Sequence, residues 1–190
     1  MGRCKNFEEE EVLRKALECF LEKGYQATST RDLAQAMGIS YGSVYNTFRD
    51  KRTLYLASLD LYIRTFTGPL IHTLDTATNA RKTLAQILNP TISGSVSGES
   101  GCFIGNAIML LASNDVEVAQ KVQCMNTSIE KAIERLLRRA YEAGEINPTG
   151  ELANIAHFMV NTLFGIRLMA RLDNNPERLS HQIEVALSVI

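Results

Sequence analysis

The sequence predicts an all-α chain in two parts: an N-terminal three-helix domain with a helix-turn-helix over residues 1–50, then a larger helical domain over 51–190. Three observations carry this. Apolar residues recur at helical spacing through most of the chain. No segment of useful length alternates apolar and polar residues as a strand would, and no internal repeat is visible. Two very short helical segments flank Gly38-Ile39-Ser40, the kind of glycine-containing turn that joins the two helices of a helix-turn-helix.

Over 7–23, Val12, Leu13, Ala16, Leu17, Phe20 and Leu21 fall on one helical face. Glu8 to Glu11 are expected in its first turn, where the helix dipole favours negative charge. Gly24 supplies a C-terminal cap, and Tyr25 the apolar contact that follows it. Ser29 and Asp32 have the spacing of a capping box, which puts Thr30 and Arg31 in the exposed first turn of a second helix. Leu33, Ala34 and Met37 face inward there, and Gly38 ends it. Ser40 caps a third helix from about Tyr41 to Phe48, anchored by Val44 and Phe48. Asp50 caps a fourth, which starts at Lys51 and continues through Leu54, Leu56, Leu59, Tyr62, Ile63 and Phe66. A break or kink is expected at Gly68-Pro69. Further helices are expected near 70–78, 80–90, 102–113, 116–143, 149–172 and 176–190. Asn89-Pro90 to Gly101 reads as a loop, and Asn147-Pro148 and the stretch 173–176 as punctuation.

At 190 residues and 45% hydrophobic content, the chain can bury a sizeable core. No run of about 18 apolar residues is present, so no membrane span is expected. MGRCKNFEEEE lacks the apolar stretch of a secretory signal, and a cytoplasmic location is expected. Cys4, Cys19, Cys102 and Cys124 are scattered and read as thiols. With His72, His157 and His181 they form no ligand spacing, so no metal or cofactor is expected. Net charge is −1, but 23–55 holds Lys23, Arg31, Arg49, Lys51 and Arg52 against only Asp32 and Asp50. A local basic excess is what a phosphate backbone requires.

A helix that enters the major groove needs short or hydrogen-bonding side chains at its leading end, and Tyr41, Gly42 and Ser43 meet that need. Tyr45 and Thr47 would reach phosphates, which fix register without reading sequence. Thr30 and Lys51, at helix N-termini, suit phosphate oxygens. Arg31 can pair with guanine O6 and N7 together. Structural alternatives stand beside these: Tyr45 as a core residue, Lys51 as a solvated helix start, Arg31 paired with Asp32. Arg3 and Lys5 would form an arm suited to a minor groove, or an ordinary loose terminus.

These residues carry a resemblance. Gly24-Tyr25, Thr30-Arg31-Asp32-Leu33-Ala34, Gly38-Ile39-Ser40, Gly42-Ser43-Val44-Tyr45, Phe48, Lys51 and Leu54 resemble the DNA-binding domain of TetR/AcrR-type regulators over roughly 7–60. The resemblance implies a homodimer on a palindromic double-stranded operator. It implies an effector pocket in the larger domain, and repression relieved by a small molecule. It carries the family's DNA contacts to Thr30, Arg31, Tyr41, Gly42, Ser43, Tyr45, Thr47 and Lys51. Thr47 and Asn46 depart from the family's usual His or Tyr and aromatic, so a Thr47 phosphate contact has shorter reach.

In the larger domain Cys102 opens an apolar helix after Gly98-Glu99-Ser100-Gly101. A thiol there is stabilised as thiolate, which raises a redox- or electrophile-responsive alternative; the other reading is a small packed residue. Phe66, Cys102, Met109, Met125, Phe158, Asn161 and Thr162 are candidate effector-lining residues, with His72, His157 and Phe164 nearby in pattern. A Met and Phe stripe at helical spacing also fits plain core. The last two expected helices carry Leu152, Ile155, Ala156, Met159, Val160, Leu163, Ile166, Leu179, Ile183, Ala186, Leu187 and Ile190. Their apolar residues point to a two-fold helical interface, with Gly165 allowing close approach.

Enzymatic readings fail on their motifs. Gly94-Ser95-Val96-Ser97-Gly98 has Val96 where a nucleophile elbow needs serine, and no HExxH, GxGxxG or phosphate-loop pattern occurs. A helical adaptor remains the other non-enzyme reading.

Overall fold

The computed structural model describes residues 3–89, 103–108, 115–170, 172 and 175–190; for 3–8 only the backbone is described. Cys102, Met109 and the loop expected over 89–101 beyond Asn89 lie outside these residues. Among the described residues the secondary structure is entirely helical, as the periodicity predicts. The helices are α1 (Arg3–Lys23), α2 (Thr30–Met37), α3 (Tyr41–Phe48), α4 (Lys51–Thr76), α5 (Ala80–Leu88), α6 (Phe103–Ala107), α7 (Val116–Glu142), α8 (Leu152–Met169) and α9 (Pro176–Leu187).

The chain divides into two compact units. The first holds residues up to Phe66 together with 99–118; the second holds 67–98 and 119–190. In the first, Ala16, Leu17, Phe20 and Leu21 of α1 pack in a core with Leu33, Ala34, Met37, Val44, Phe48, Leu54 and Leu59, all buried. Tyr55 lies edge-on to Phe20 with centroids 5.2 Å apart, and tilts against Phe103 of α6 at 5.1 Å. Tyr62 meets Phe103 at 5.4 Å. Arg52, one residue into α4, donates to both carboxylate oxygens of Asp115 at 2.7 and 2.9 Å and to Glu117 at 3.0 Å. Asp115 also accepts from the N–H groups of Glu117 and Val118, so one carboxylate caps α7 and holds α4.

In the second unit Ile129, Ala132, Ile133, Leu136 and Leu137 of α7 are buried, as are Leu74, Leu84 and Leu88. Arg135 makes a forked contact with Asp75, and Arg139 donates to the Leu74 carbonyl at 2.8 Å, near the C-terminal end of α4. Asn175 caps α9 with Pro176 following, as the punctuation over 173–176 predicts.

Two local expectations change. α1 begins at Arg3, so Glu8 to Glu11 sit beyond its first turn and Arg3 and Lys5 are helical rather than in an arm. Nothing in Arg-Cys-Lys-Asn-Phe breaks a helix. Glu10 and Glu11 instead face cations, Arg64 at 3.0 Å and Lys15 at 3.1 Å. Second, α4 runs unbroken through Gly68-Pro69, so no separate helix starts at 70. Pro69 offers no N–H to the Thr65 carbonyl, and both residues are exposed. Leu70 and Leu74 beyond it are buried and keep the helix docked. α8 is one 18-residue helix that is long and apolar enough, by length and composition alone, to cross a membrane. Polar residues such as Asn154, His157 and Arg167 interrupt it, so it contains no unbroken apolar run.

Removing one cap tests the local logic. Ser29→Ala should cost about 1 kcal/mol and lower Tm by a few degrees, read by thermal unfolding. Acid tests the carboxylates. Hydrogen bonds from Lys23 and Ser29 hold Asp32 well below the usual carboxylate range; the Thr53 N–H does so for Asp50, and Arg52 for Asp115. Each therefore contributes stability that is present above an unfolded pKa near 4 and is lost as pH falls toward the lower folded value. Helical circular dichroism should hold at neutral pH and decline below about pH 4. Asp32→Asn should flatten that decline.

Candidate nucleic-acid interface

The pair α2 and α3 is framed by backbone chemistry. Ser29 N–H donates to Asp32 at 2.9 Å and Asp32 N–H returns to the Ser29 hydroxyl at 3.2 Å, the reciprocal cap expected from the spacing. Gly38 ends α2 at φ 68°, a left-handed conformation that glycine adopts without strain. Ile39 N–H then donates to the Ala34 carbonyl at 3.1 Å. Ser40 caps α3 by accepting from Ser43 N–H at 3.1 Å. Val44 and Phe48 anchor α3 in the core, at 1% and 5% exposure.

What remains outward is the face that could meet a ligand. Tyr41 and Tyr45 are 50% and 44% exposed, high values for such large rings. Their rings lie 4.9 Å apart, and the Tyr41 hydroxyl donates to the Tyr45 hydroxyl at 3.2 Å. That bond is the main cause that pushes the Tyr41 phenol up, so Tyr41 stays a donor at neutral pH. Tyr45, as acceptor in the pair, keeps its own O–H for a third party. Gly42 and Thr47 are exposed, and Thr30 and Ser43 are half-buried. The Ser43 hydroxyl lies 2.8 Å from that of Ser40, which leaves it further hydrogen-bonding capacity. Arg31 is exposed on the first turn of α2, and its charge acts on the Tyr41 phenol.

Lys51 is placed differently from a free helix-start cation. Its ammonium donates to the carbonyls of Tyr25 at 2.8 Å and Thr28 at 2.9 Å, and sits 4.4 Å above the Tyr25 ring. It ties the α1–α2 turn to the start of α4. Two of its three donors are engaged.

Of the expected effector residues, Cys102 and Met109 lie outside the described residues, and the others fall in both units. Phe66 lies in the first unit, stacked on Tyr62 at 5.8 Å. Met125 is buried in the second. Phe158, Asn161 and Thr162 sit on the outer side of α8: Phe158 is 43% exposed, Asn161 is exposed and Thr162 is half-buried. Residues 158, 162, 165 and 169 recur at i, i+4, i+7 and i+11 and form one stripe, while Met159, Val160, Leu163 and Ile166 point into the core. The stripe lines an open, mainly apolar groove of about 480 Å³ with His181, Gln182 and Val185 of α9. Two groups had no signal in the sequence: Thr67 Oγ1 and Asn126 Oδ1, in the second unit, are buried with no hydrogen-bond partner among the described residues. Cys19, buried under α2, has its thiol pushed up by burial, which disfavours the thiolate.

Comparison with known proteins agrees with this geometry. The profile of the family described as bacterial regulatory proteins, tetR family, matches 12–58, and that of the tetracyclin repressor-like C-terminal domain matches 78–186. An uncharacterised HTH-type transcriptional regulator of Bacillus subtilis, YezE, is 27% identical across the whole of both chains. The HTH-type transcriptional repressor ComR of Escherichia coli is 26% identical over 94% of this chain and 86% of its own. Among solved structures, a cysteine mutant of the TetR-family regulator CifR, complexed with 26-base-pair operator DNA, is 26% identical. It superposes with a TM-score of 0.75 over 94% of this chain and 95% of its own. The reduced form of E. coli NemR shares the fold, with a TM-score of 0.83 at 17% identity over 96% and 97%. With both its N-terminal reader and most of its remaining length matched, the chain belongs to the TetR family and is a DNA-binding transcriptional regulator rather than an enzyme.

Proposed function

We propose that the protein is a repressor that binds a palindromic operator as a homodimer and is released by a small-molecule effector. The observation that carries the DNA side is the exposed Tyr41–Tyr45 pair on a doubly capped α3. Tyr41, Gly42 and Ser43 lead into the major groove, and Arg31 contacts a guanine edge. Tyr45, Thr47 and Thr30 hold phosphates, and Lys51 adds its one remaining donor while bracing the reader. That ComR is named a repressor, and that CifR has been captured on operator DNA, supports the same reading here.

The α8–α9 groove supports the dimer. Phe158, Met169, Leu172 and Val185 are 43%, 54%, 83% and 69% exposed, apolar surface that a second copy would cover. Gly165 adds a second argument. A Cβ at this position would meet nothing within 4 Å inside the chain, yet glycine inside a helix is less stable than alanine. The close approach it permits is to another molecule. In this reading Phe158 and Thr162, expected from sequence to line an effector site, would take part in the interface. An isologous pairing of α8 and α9 would set two readers on one operator.

We assign the effector to the second unit, with Met125 in its lining and Thr67 and Asn126 offering unsatisfied polar atoms. Reader and sensor would divide near residue 50. α4, the helix that follows the reader, carries the response by shifting the separation of the two recognition helices from one DNA turn, about 34–36 Å. A ligand biases that equilibrium only through its differential affinity for the two arrangements. Binding to chromosomal DNA would put the protein in the cytoplasm.

Gel shifts with DNA upstream of the protein's own gene, at rising salt, test the DNA reading. Specific binding with steep salt dependence is expected. Tyr45→Phe should weaken it roughly ten- to hundredfold, the worth of a hydrogen bond to a charged group. Unchanged binding would remove Tyr45 from the interface. Sedimentation tests the dimer: Val185→Glu should give a monomer with lost operator affinity, whereas Gly165→Ala should raise helix stability but weaken dimerisation. Persistent dimers in both variants would exclude the α8–α9 interface.

A further inference from the structure

Every cation of the first unit whose side chain is described, except two, is engaged within it. Arg14 pairs with Glu18 at 2.6 Å, Lys15 with Glu11 at 3.1 Å, Lys23 with Asp32 at 2.5 Å, and Arg64 with Glu10 at 3.0 Å. Arg52 holds Asp115 and Glu117, and Lys51 holds two carbonyls. Arg31 and Arg49 have no such partner among the described residues. Arg31 is already assigned to the DNA interface. Arg49 is exposed and lies one residue beyond the recognition helix α3.

Its backbone is unusual. Arg49 has φ 63° and ψ −55°, and is the one non-glycine residue with positive φ among those described. Asp50 N–H donates back to the Phe48 carbonyl at 2.7 Å, so Arg49 is the middle residue of a tight three-residue turn of the rare, strained kind. Where α1, α2 and α7 end, the chain uses Gly24, Gly38 and Gly144 at its positive-φ positions. An arginine at the fourth such position adds backbone strain that glycine would avoid. No packing in the unit explains the choice, because the side chain is exposed and without an ion partner.

We infer that Arg49 is a phosphate anchor of the DNA interface, held at the C-terminal end of α3 by its strained turn. This rests on the regulator reading and extends its contact set. Geometry agrees. α3 has eight residues and is about 12 Å long. With Tyr41 to Ser43 at the floor of a groove about 8.5 Å deep, the far end of the helix reaches the rim, where the phosphates lie. A guanidinium there can bridge phosphate oxygens in a forked contact.

The test is fluorescence anisotropy of the full-length protein with two labelled duplexes: the wild-type footprint, and a scrambled sequence. Arg49→Gln should weaken both about tenfold and reduce the slope of log affinity against log salt by about 1. Arg49→Lys should keep the slope and most of the affinity. Arg49→Gly should bind as weakly as Arg49→Gln while its Tm stays at or above wild type, which separates lost contact from lost fold. Wild-type affinity and slope in both Arg49→Gln and Arg49→Gly would overturn the proposal. So would a loss confined to the footprint duplex with an unchanged slope, which marks base reading. Failure of wild type itself to prefer the footprint would overturn the regulator reading as well.

Discussion

The first unit depends on a file of aromatic rings. Phe20 from α1, Tyr25 from the following turn, Tyr55, Tyr62 and Phe66 from α4, and Phe103 from α6 meet in sequence at 4.9–6.0 Å between centroids. Each pair is worth about 0.5–1.5 kcal/mol beyond the area it buries. α2 and α3 are eight residues each, too short to persist alone; α2 packs on α1, which carries Phe20, and α3 packs on α2. Lys51 adds a polar lock at the same place: its ammonium covers the Tyr25 ring and fixes the turn before α2.

Local chemistry was legible in the sequence because it is written at fixed short spacings. Ser29 with Asp32, Gly38, Ser40 and Asp50 act as their spacing predicts. The core anchors Val44 and Phe48 follow from helical periodicity. Tertiary effects were not legible. Pro69 reads as a stop in one dimension, but its exposed setting and the buried leucines after it let α4 continue. The Arg52–Asp115 contact spans 63 residues and has no local signature. On α8 the pattern shows much apolar surface but not which stripe meets the core; Phe158 and Thr162 line an open groove with α9. The positive φ of Arg49 has no sequence signature, because an arginine is not a residue that marks such a turn.

The two polar fixtures at the start of α4 give the first unit a division of labour. Lys51 ties this end to the reader's own turn, and Arg52 ties it to the cap of α7. Adjacent residues on one helix thus bind the DNA-facing elements and a long helix whose later residues belong to the second unit. Exposed ion pairs contribute little to stability individually. Forked geometry, however, fixes orientation, and orientation is what a reader of a groove requires.

The framing of α3 has a consequence for how such regulators diversify. The residues that hold the reader in shape, Ser29, Asp32, Gly38, Ser40, Val44 and Phe48, are distinct from those that face outward, Arg31, Tyr41, Gly42 and Thr47. Exchanges at exposed positions away from caps and core change stability by about 0.5 kcal/mol or less. A duplicated copy of the gene can therefore drift to a new operator through its outward residues without passing through unfolded intermediates, and a designer can retarget the reader by the same route.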